Sequence, residues 1–266
     1  MIRQPIGLWT KIGIGVMSVF VLFVVYEYLA YRQTQANPDQ TVVPSVLSWG
    51  EGWARMTTAN DRGERWLWED VKATYGRLFM GLGVGVVLSI LVGVAMGAYT
   101  WLEAFFAPPI SFLAKIPPTA MLAVYFVVFG TSTEFYVAMV GLSVFFTLAQ
   151  SIYQAAKKDV SDHSVYKAYS LGASSTEVIY EVLWKQILPR VIESIRLQIG
   201  PAMVFLIAAE YAVGGDAGMG YRIRLQQRIL HMDVVYIYLI ILGSTGLLMD
   251  WTLTLLRRKL CPWSGE

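Results

Sequence analysis

The chain has 266 residues, of which 56% are hydrophobic and 15% charged, and its mean hydropathy is +0.51. Such a composition lies well to the apolar side of an ordinary soluble domain and points to a membrane protein. A net charge of +2 gives no bulk attraction for nucleic acid, so no nucleic-acid partner is expected, and a lone cysteine, Cys261, excludes an internal disulfide.

A helix rising ~1.5 Å per residue needs about 20 mainly apolar residues to cross a ~30 Å hydrocarbon core. Six segments qualify. The first, residues 12–30, has no small-x-small cleavage site before Tyr31 and Arg32, so a retained anchor is predicted rather than a removed signal. Its Glu27 is expected to pair locally. Residues 36–70 follow, with Pro38, Pro44, Trp49, Trp53, Trp66 and Trp68. These tryptophans suit either a helix in the headgroup layer or a platform for a partner on that side.

The second segment is 78–99. The third, 118–130, is short and is extended backwards through "FFAPPISFLAKI" as a helix interrupted by prolines. Pro108 with Pro109, and Pro117 with Pro118, remove backbone donors and disfavour helix in the residue ahead of each pair, so this hairpin is predicted to be locally unwound. Such breaks survive at membrane depth only beside protein or a wet cavity. Lys115 is then either a contact for a passing anion or a side chain snorkelling to headgroups. Met121 and Tyr125 are candidate constriction residues, together with Met203 and Phe205 of the fifth segment.

The fourth segment, 135–155, and the fifth, 195–214, carry a polar stripe of Ser143, Thr147, Gln150 and Gln198, which serves either a wet path or hydrogen bonds between helices. Glu210 is an ionisable group in the fifth segment and hence a candidate functional site. It acts either on a cation or outer gate, or as a buried partner for Arg222 or backbone donors. The sixth segment, 234–256, contains Asp250, expected to pair locally. His163 and His231 lack companions at metal-ligand spacing, so no metal site is expected.

Between the fourth and fifth segments lies "YKAYSLGASSTEVIYEVLWKQILPRV". Its pattern is helical, with Val178, Val182, Trp184 and Ile187 as an apolar strip and Glu177, Glu181, Lys185 and Gln186 opposite. Gly172 permits a sharp turn after Leu171, Ser174, Ser175 and Thr176 offer an N-cap, and Leu188 with Pro189 ends the second helix. Six crossings put Arg3 and Lys11, the basic residues from Lys157 to Arg190, and Arg257, Arg258 and Lys259 on one side, which is therefore cytoplasmic and holds both termini. Lys72 and Arg77 oppose that rule. A helix-turn-helix under the membrane is a docking surface for a cytosolic partner.

At these residues the sequence resembles the EAA loop of ABC importer permeases. Ala168 takes the third place of the opening triplet, Gly172 the glycine, and Leu188 and Pro189 the distal Leu-Pro, within the run Ser170, Leu171, Gly172, Ala173, Ser174. Tyr166 and Lys167 stand where Glu and Ala are usual, and Trp184 and Lys185 where a first Leu-Pro would fall. The resemblance extends from about Ala73 to Trp263 through "FLAKIPPTAMLAVYFVVFG", "AAEYAVGGDAGMGYRI" and "GLLMDWTLTLLRRKLCPW". It is similar to the nitrate, sulfonate, taurine and bicarbonate branch, nearest to permeases associated with urea carboxylase or guanidine degradation.

The resemblance implies an all-α fold of the type I importer permease kind. An anchor and outer segment would occupy 1–70 and a permease core 71–266, with a coupling loop at about 157–193. It implies a second permease copy forming a homodimer, two cytosolic ATPase subunits that hold ATP and Mg, and a periplasmic or lipid-anchored substrate-binding protein at a bacterial inner membrane. The solute would be small and polar: nitrate, bicarbonate, a sulfonate such as taurine, or a guanidine-type cation. No G-x-x-x-x-G-K-[ST] phosphate loop and no H-E-x-x-H or G-x-S-x-G pattern occurs, so the chain is not expected to be an enzyme or to bind a cofactor itself. A secondary transporter is the alternative, since it too uses broken helices, although it usually carries two comparable halves.

Overall fold

A computed structural model describes residues 6–36, 42–58 and 65–264, so Arg3 and Pro38 lie outside the described residues. All regular elements among the described residues are helical: α1 (Leu8–Ala36), α2 (Val46–Thr57), α3 (Trp66–Ala98), α4 (Thr100–Leu113), α5 (Leu122–Phe129), α6 (Thr133–Asp159), α7 (Asp162–Ser170), α8 (Ser175–Glu177), α9 (Lys185–Val213), α10 (Met219–Arg228) and α11 (Met232–Leu260). Five stretches are long and apolar enough to cross a bilayer: α1, α3, α6, the run through α8 and α9, and α11. The α4 and α5 pair makes a sixth if counted as one span, bent by 85°.

The chain divides into two compact units, Met1–Trp66 with Ile223–Ile240, and Leu67–Arg222 with Ile241–Glu266. In the first, the Tyr26 ring of α1 meets Trp49 at 5.7 Å and Tyr236 at 5.6 Å between centroids. Glu27 accepts a hydrogen bond from the Val46 amide (3.0 Å), fastening the start of α2 to α1. Arg55 lies 3.4 Å from Asp233. Helix α2 buries Gly52 and Met56, while Leu47 is 91% exposed and Trp53 is also exposed.

In the second unit α3 packs along α6 through small residues at four-residue spacing: Gly81, Gly85, Ser89, Gly93 and Gly97. One helix turn separates each from the next, so they form a continuous groove in which backbones approach closely. A Cβ at Gly81 would lie 2.6 Å from the Val140 Cβ, and one at Gly85 2.6 Å from the Gly141 carbonyl oxygen. The Ser89 hydroxyl bonds the Gly85 carbonyl (2.6 Å). Gly85→Leu is therefore expected to destabilise by about 1–3 kcal/mol or more, since α3 must move off α6. Gly83→Ala, with nothing within 4 Å of its Cβ, should be neutral. Thermal unfolding of the two purified variants checks the contrast.

The broken segment differs from the sequence expectation. Pro108 and Pro109 lie inside α4 rather than at an unwound hairpin, because Phe106 and Ile110 pack against Met96, Ala149 and their neighbours and hold the helix across them. The break falls at the second pair. Pro117 is extended (φ −60°, ψ 125°), and a 3₁₀ turn, Pro118–Met121, leads into α5. Contacts with α6 follow the pair along its length. Glu103 binds Lys157 (2.7 Å) and Tyr153 near the end of α6, and Ile110 packs on Ala149. Phe126 meets Phe135 at the start of α6 (6.5 Å). The pair thus runs along α6 from its last turns to its first.

Helices α6 and α9 form the centre of this unit. Leu148, Ile152, Ile187, Ala202 and Leu206 are fully buried. Between the two helices Ser151 bonds Ser194 (2.8 Å) and Thr147 bonds Gln198 (2.9 Å), so part of the sequence-predicted polar stripe joins helices.

Candidate functional site: a cavity, a clamp and an exposed turn

A cavity of about 320 Å³ opens where the α4 and α5 break faces α6 and α9. Lys115, Met121 and Tyr125 line it from the break, and Ser143 and Thr147 from α6. Gln198, Pro201 and Phe205 line it from α9. Seven residues nominated from the sequence therefore line one cavity: Lys115, Met121, Tyr125, Ser143, Thr147, Gln198 and Phe205. Pro117 and Pro118 line the same space, so the unwound backbone sits beside a cavity. Phe146 and Pro201 were not nominated, because nothing in an apolar run marks which face turns inward.

Met203 and Glu210 are not among the residues lining it. Met203 packs in the core, its sulfur 3.7 Å from where a Cβ on Gly246 would sit. Glu210 is buried in a polar clamp at the other end of α9. Its carboxylate accepts from Arg77 (2.7 Å), from the Thr74 hydroxyl (3.0 and 2.9 Å) and from the Gly220 amide (3.0 Å). The expected partner Arg222 instead binds Asp70 (2.8 Å), which also accepts from the Gly218 amide (2.9 Å). Between them, Met219 N–H bonds Thr74 (2.8 Å). Three successive amides at the start of α10 are thus received by three side chains, two of them carboxylates suited to the positive end of a helix. Arg77 also bonds the Ala217 carbonyl (2.9 Å) and lies 4.3 Å over the Tyr136 ring.

Asp70, Thr74 and Arg77 escaped nomination as a group. The signal was present: i, i+4 and i+7 spacing places them on one face of α3. The clamp also explains why Arg77 opposes the charge rule, since its charge is spent on a buried partner. Asp250 pairs with Arg196 (2.5 Å), and Glu193 joins that pair (3.2 Å), linking α9 to α11.

The polar stretch after α6 turns back on itself. α7 is capped by Ser161, and Ala173 N–H bonds the Ala168 carbonyl (3.1 Å) around Gly172, whose φ is +88°. Ser174 is the N-cap of the next helix in a reciprocal capping box with Glu177, with Ser174 N–H to Glu177 Oε2 at 2.7 Å. Ser175 and Thr176 are its first helical residues. Leu171 is 80% exposed, with Tyr166, Ser170, Gly172 and Ser174 also exposed, whereas Ala168 and Ala173 are half-buried.

The helix does not end at Leu188 and Pro189. It passes through a π-helical stretch, Val178–Trp184, and continues as α9 with Pro189 and Pro201 inside it. The proline's missing donor falls just after the π stretch, where the α-helical ladder is already interrupted. The π stretch also shifts the apolar face. Val178, Leu183 and Ile187 are buried, while Val182 and Trp184 are half-buried.

The fold is similar to that of a chain of the MetNI methionine ABC transporter in an inward-facing crystal form, with TM-score 0.59, 18% identity, and 74% of this chain and 94% of that one covered. Among curated proteins, the taurine transport system permease protein TauC of Escherichia coli (strain K12) is 27% identical over 99% of this chain and 94% of its own length. The bicarbonate transport system permease protein CmpB of Synechococcus elongatus is 24% identical over 72% of this chain and 68% of its own. Residues 85–261, which hold all of the small-residue groove but Gly81, the cavity and the exposed turn, match one family throughout, and the chain belongs to it: the binding-protein-dependent transport system inner membrane components.

Proposed function

We propose that two copies of this permease subunit line one translocation pathway, that two cytosolic ABC ATPase subunits grip the turn at 166–177, and that a periplasmic or lipid-anchored binding protein delivers the solute. One observation carries the reading: the exposed turn is continuous through the π stretch with α9, the helix that supplies Gln198, Pro201 and Phe205 to the cavity wall. A pull on the turn therefore reaches the cavity through a rigid element. ATP and Mg belong to the partner subunits, and the chain itself is not an enzyme. Counting α4 and α5 as one crossing gives six spans, which on this reading put both termini on the side of the turn, the cytoplasm, in line with the basic residues there. The solute class follows the relatives named for taurine and bicarbonate transport, with nitrate, other sulfonates and guanidine-type cations in the test panel.

The test is reconstitution in vesicles with the ATPase and binding protein. Uptake of labelled taurine, nitrate, bicarbonate or guanidinium is expected only with ATP, blocked by vanadate and indifferent to a protonophore. Uphill uptake by this chain alone, lost when the proton gradient collapses, would make it a secondary transporter instead.

A further inference from the structure

We propose that Gln198, oriented by Thr147, is a specificity-determining residue within the permease, and that with Lys115 it makes the cavity a filter for small anions rich in hydrogen-bond acceptors. The proposal rests on the reading that this cavity belongs to the pathway. It assigns selectivity to the membrane subunit as well as to the binding protein that loads it.

The orientation comes from one hydrogen bond. Thr147 Oγ1 lies 2.9 Å from Gln198 Oε1, and also near the Ser143 and Val144 carbonyls (3.0 and 3.2 Å). An amide oxygen only accepts, so in the link to Gln198 the hydroxyl donates and the amide oxygen is held toward α6. With the oxygen engaged by Thr147, we infer that the NH₂ group, with two donors, is the end of Gln198 left for a solute in the cavity. The Ser143 hydroxyl is turned to the Val140 carbonyl (2.8 Å).

Charge acts in the same direction. Lys115, an exposed residue that lines the cavity, carries an ammonium with three donors, and among the described lining residues there is no Asp or Glu. Five carboxylates of this unit that lie outside the cavity lining are ion-paired: Glu103 with Lys157, Glu210 with Arg77, Asp70 with Arg222, and Glu193 and Asp250 with Arg196. The remaining wall, with Phe146 and Phe205, is largely apolar, so the lysine is the one formal charge among the described lining residues. Lys115 also lies just past the C-terminal end of α4, where a cation suits the helix dipole.

The test reads the sign of the cavity without knowing the solute. In a Cys261→Ser background, the full chain assembled with its partner subunits carries Ser143→Cys, or Met121→Cys should the first fail to insert. Labelling rates are measured with an anionic sulfonatoethyl and a cationic trimethylammonium-ethyl methanethiosulfonate, normalised to Ser170→Cys on the exposed turn. A unit charge ~10 Å away at an effective dielectric of ~20 favours the anionic reagent by at least roughly tenfold. Lys115→Met should bring that ratio toward one. Thr147→Val, which frees the amide to turn its oxygen inward, should lower it by about fivefold, the worth of a typical hydrogen bond. Thr147→Ser, which restores a hydroxyl, should recover it, a rescue that a merely structural role for Thr147 would not produce in a charge ratio. An unbiased ratio, or a Thr147→Val variant equal to wild type, overturns the filter. Labelling that leaves ATP-driven uptake intact overturns the pathway reading instead, so the two failures are separable.

Discussion

Gly172→Gln is expected to abolish transport and transport-coupled ATP hydrolysis while the chain still inserts and folds. Gly172 sits at φ +88° at the tip of an exposed turn, with no atom within 4 Å of where a Cβ would be. Its neighbour Leu171 is 80% exposed. The transmembrane core therefore does not feel the substitution. What changes is the turn itself: an L side chain in the left-handed region costs about 1–2 kcal/mol, roughly a five- to thirty-fold shift toward other turn geometries. A long side chain would also obstruct the approach of the ATPase subunit proposed to grip the turn. Gly172→Ala separates the two causes, because it carries the backbone cost with little bulk. ATP hydrolysis by the reconstituted complex, with and without loaded binding protein, is the measurement. Wild-type stimulation in the Gln variant would remove the turn from the coupling mechanism.

The second large effect is on stability. Glu210→Ala should cost about 3–5 kcal/mol, the penalty for leaving one side of a buried ion pair without its partner. The Arg77 and Glu210 side chains are only 14% and 1% exposed, and the loss also strands the Thr74 hydroxyl and the Gly220 amide. A fall in Tm on the order of 10 °C is expected. Glu210→Gln keeps acceptor capacity without the charge and should fall between. Arg77→Met with Glu210→Leu should recover much of the loss, because two apolar side chains leave no orphaned charge. If Glu210→Ala melts with the wild type, the clamp does not hold α10 to α3.

Much of this architecture was legible beforehand. Residues 78–99, 135–155 and 234–256 read as spans because a bilayer crossing needs nothing but length and hydrophobicity, and α3, α6 and α11 contain them except for Tyr99, which follows the end of α3. Gly172 and the Ser174 cap were legible because turns and caps are written in adjacent residues. The helix boundary at Pro189 was not, since whether a proline ends a helix depends on what packs around the freed carbonyl.

By itself the sequence determined much that depends on neighbours along the chain: which stretches are long and apolar enough to cross a membrane, where a turn must be glycine, and which residues bring polar atoms into an apolar run. Only the tertiary structure decided pairings across more than 130 positions, such as Thr74 and Arg77 with Glu210. It also decided which face of α9 meets a cavity and which packs on α11. The reason is geometric: local propensity acts over one or two turns, whereas the partner of a buried charge is set by how helices cross, and several acids and bases compete for each pairing until packing chooses among them.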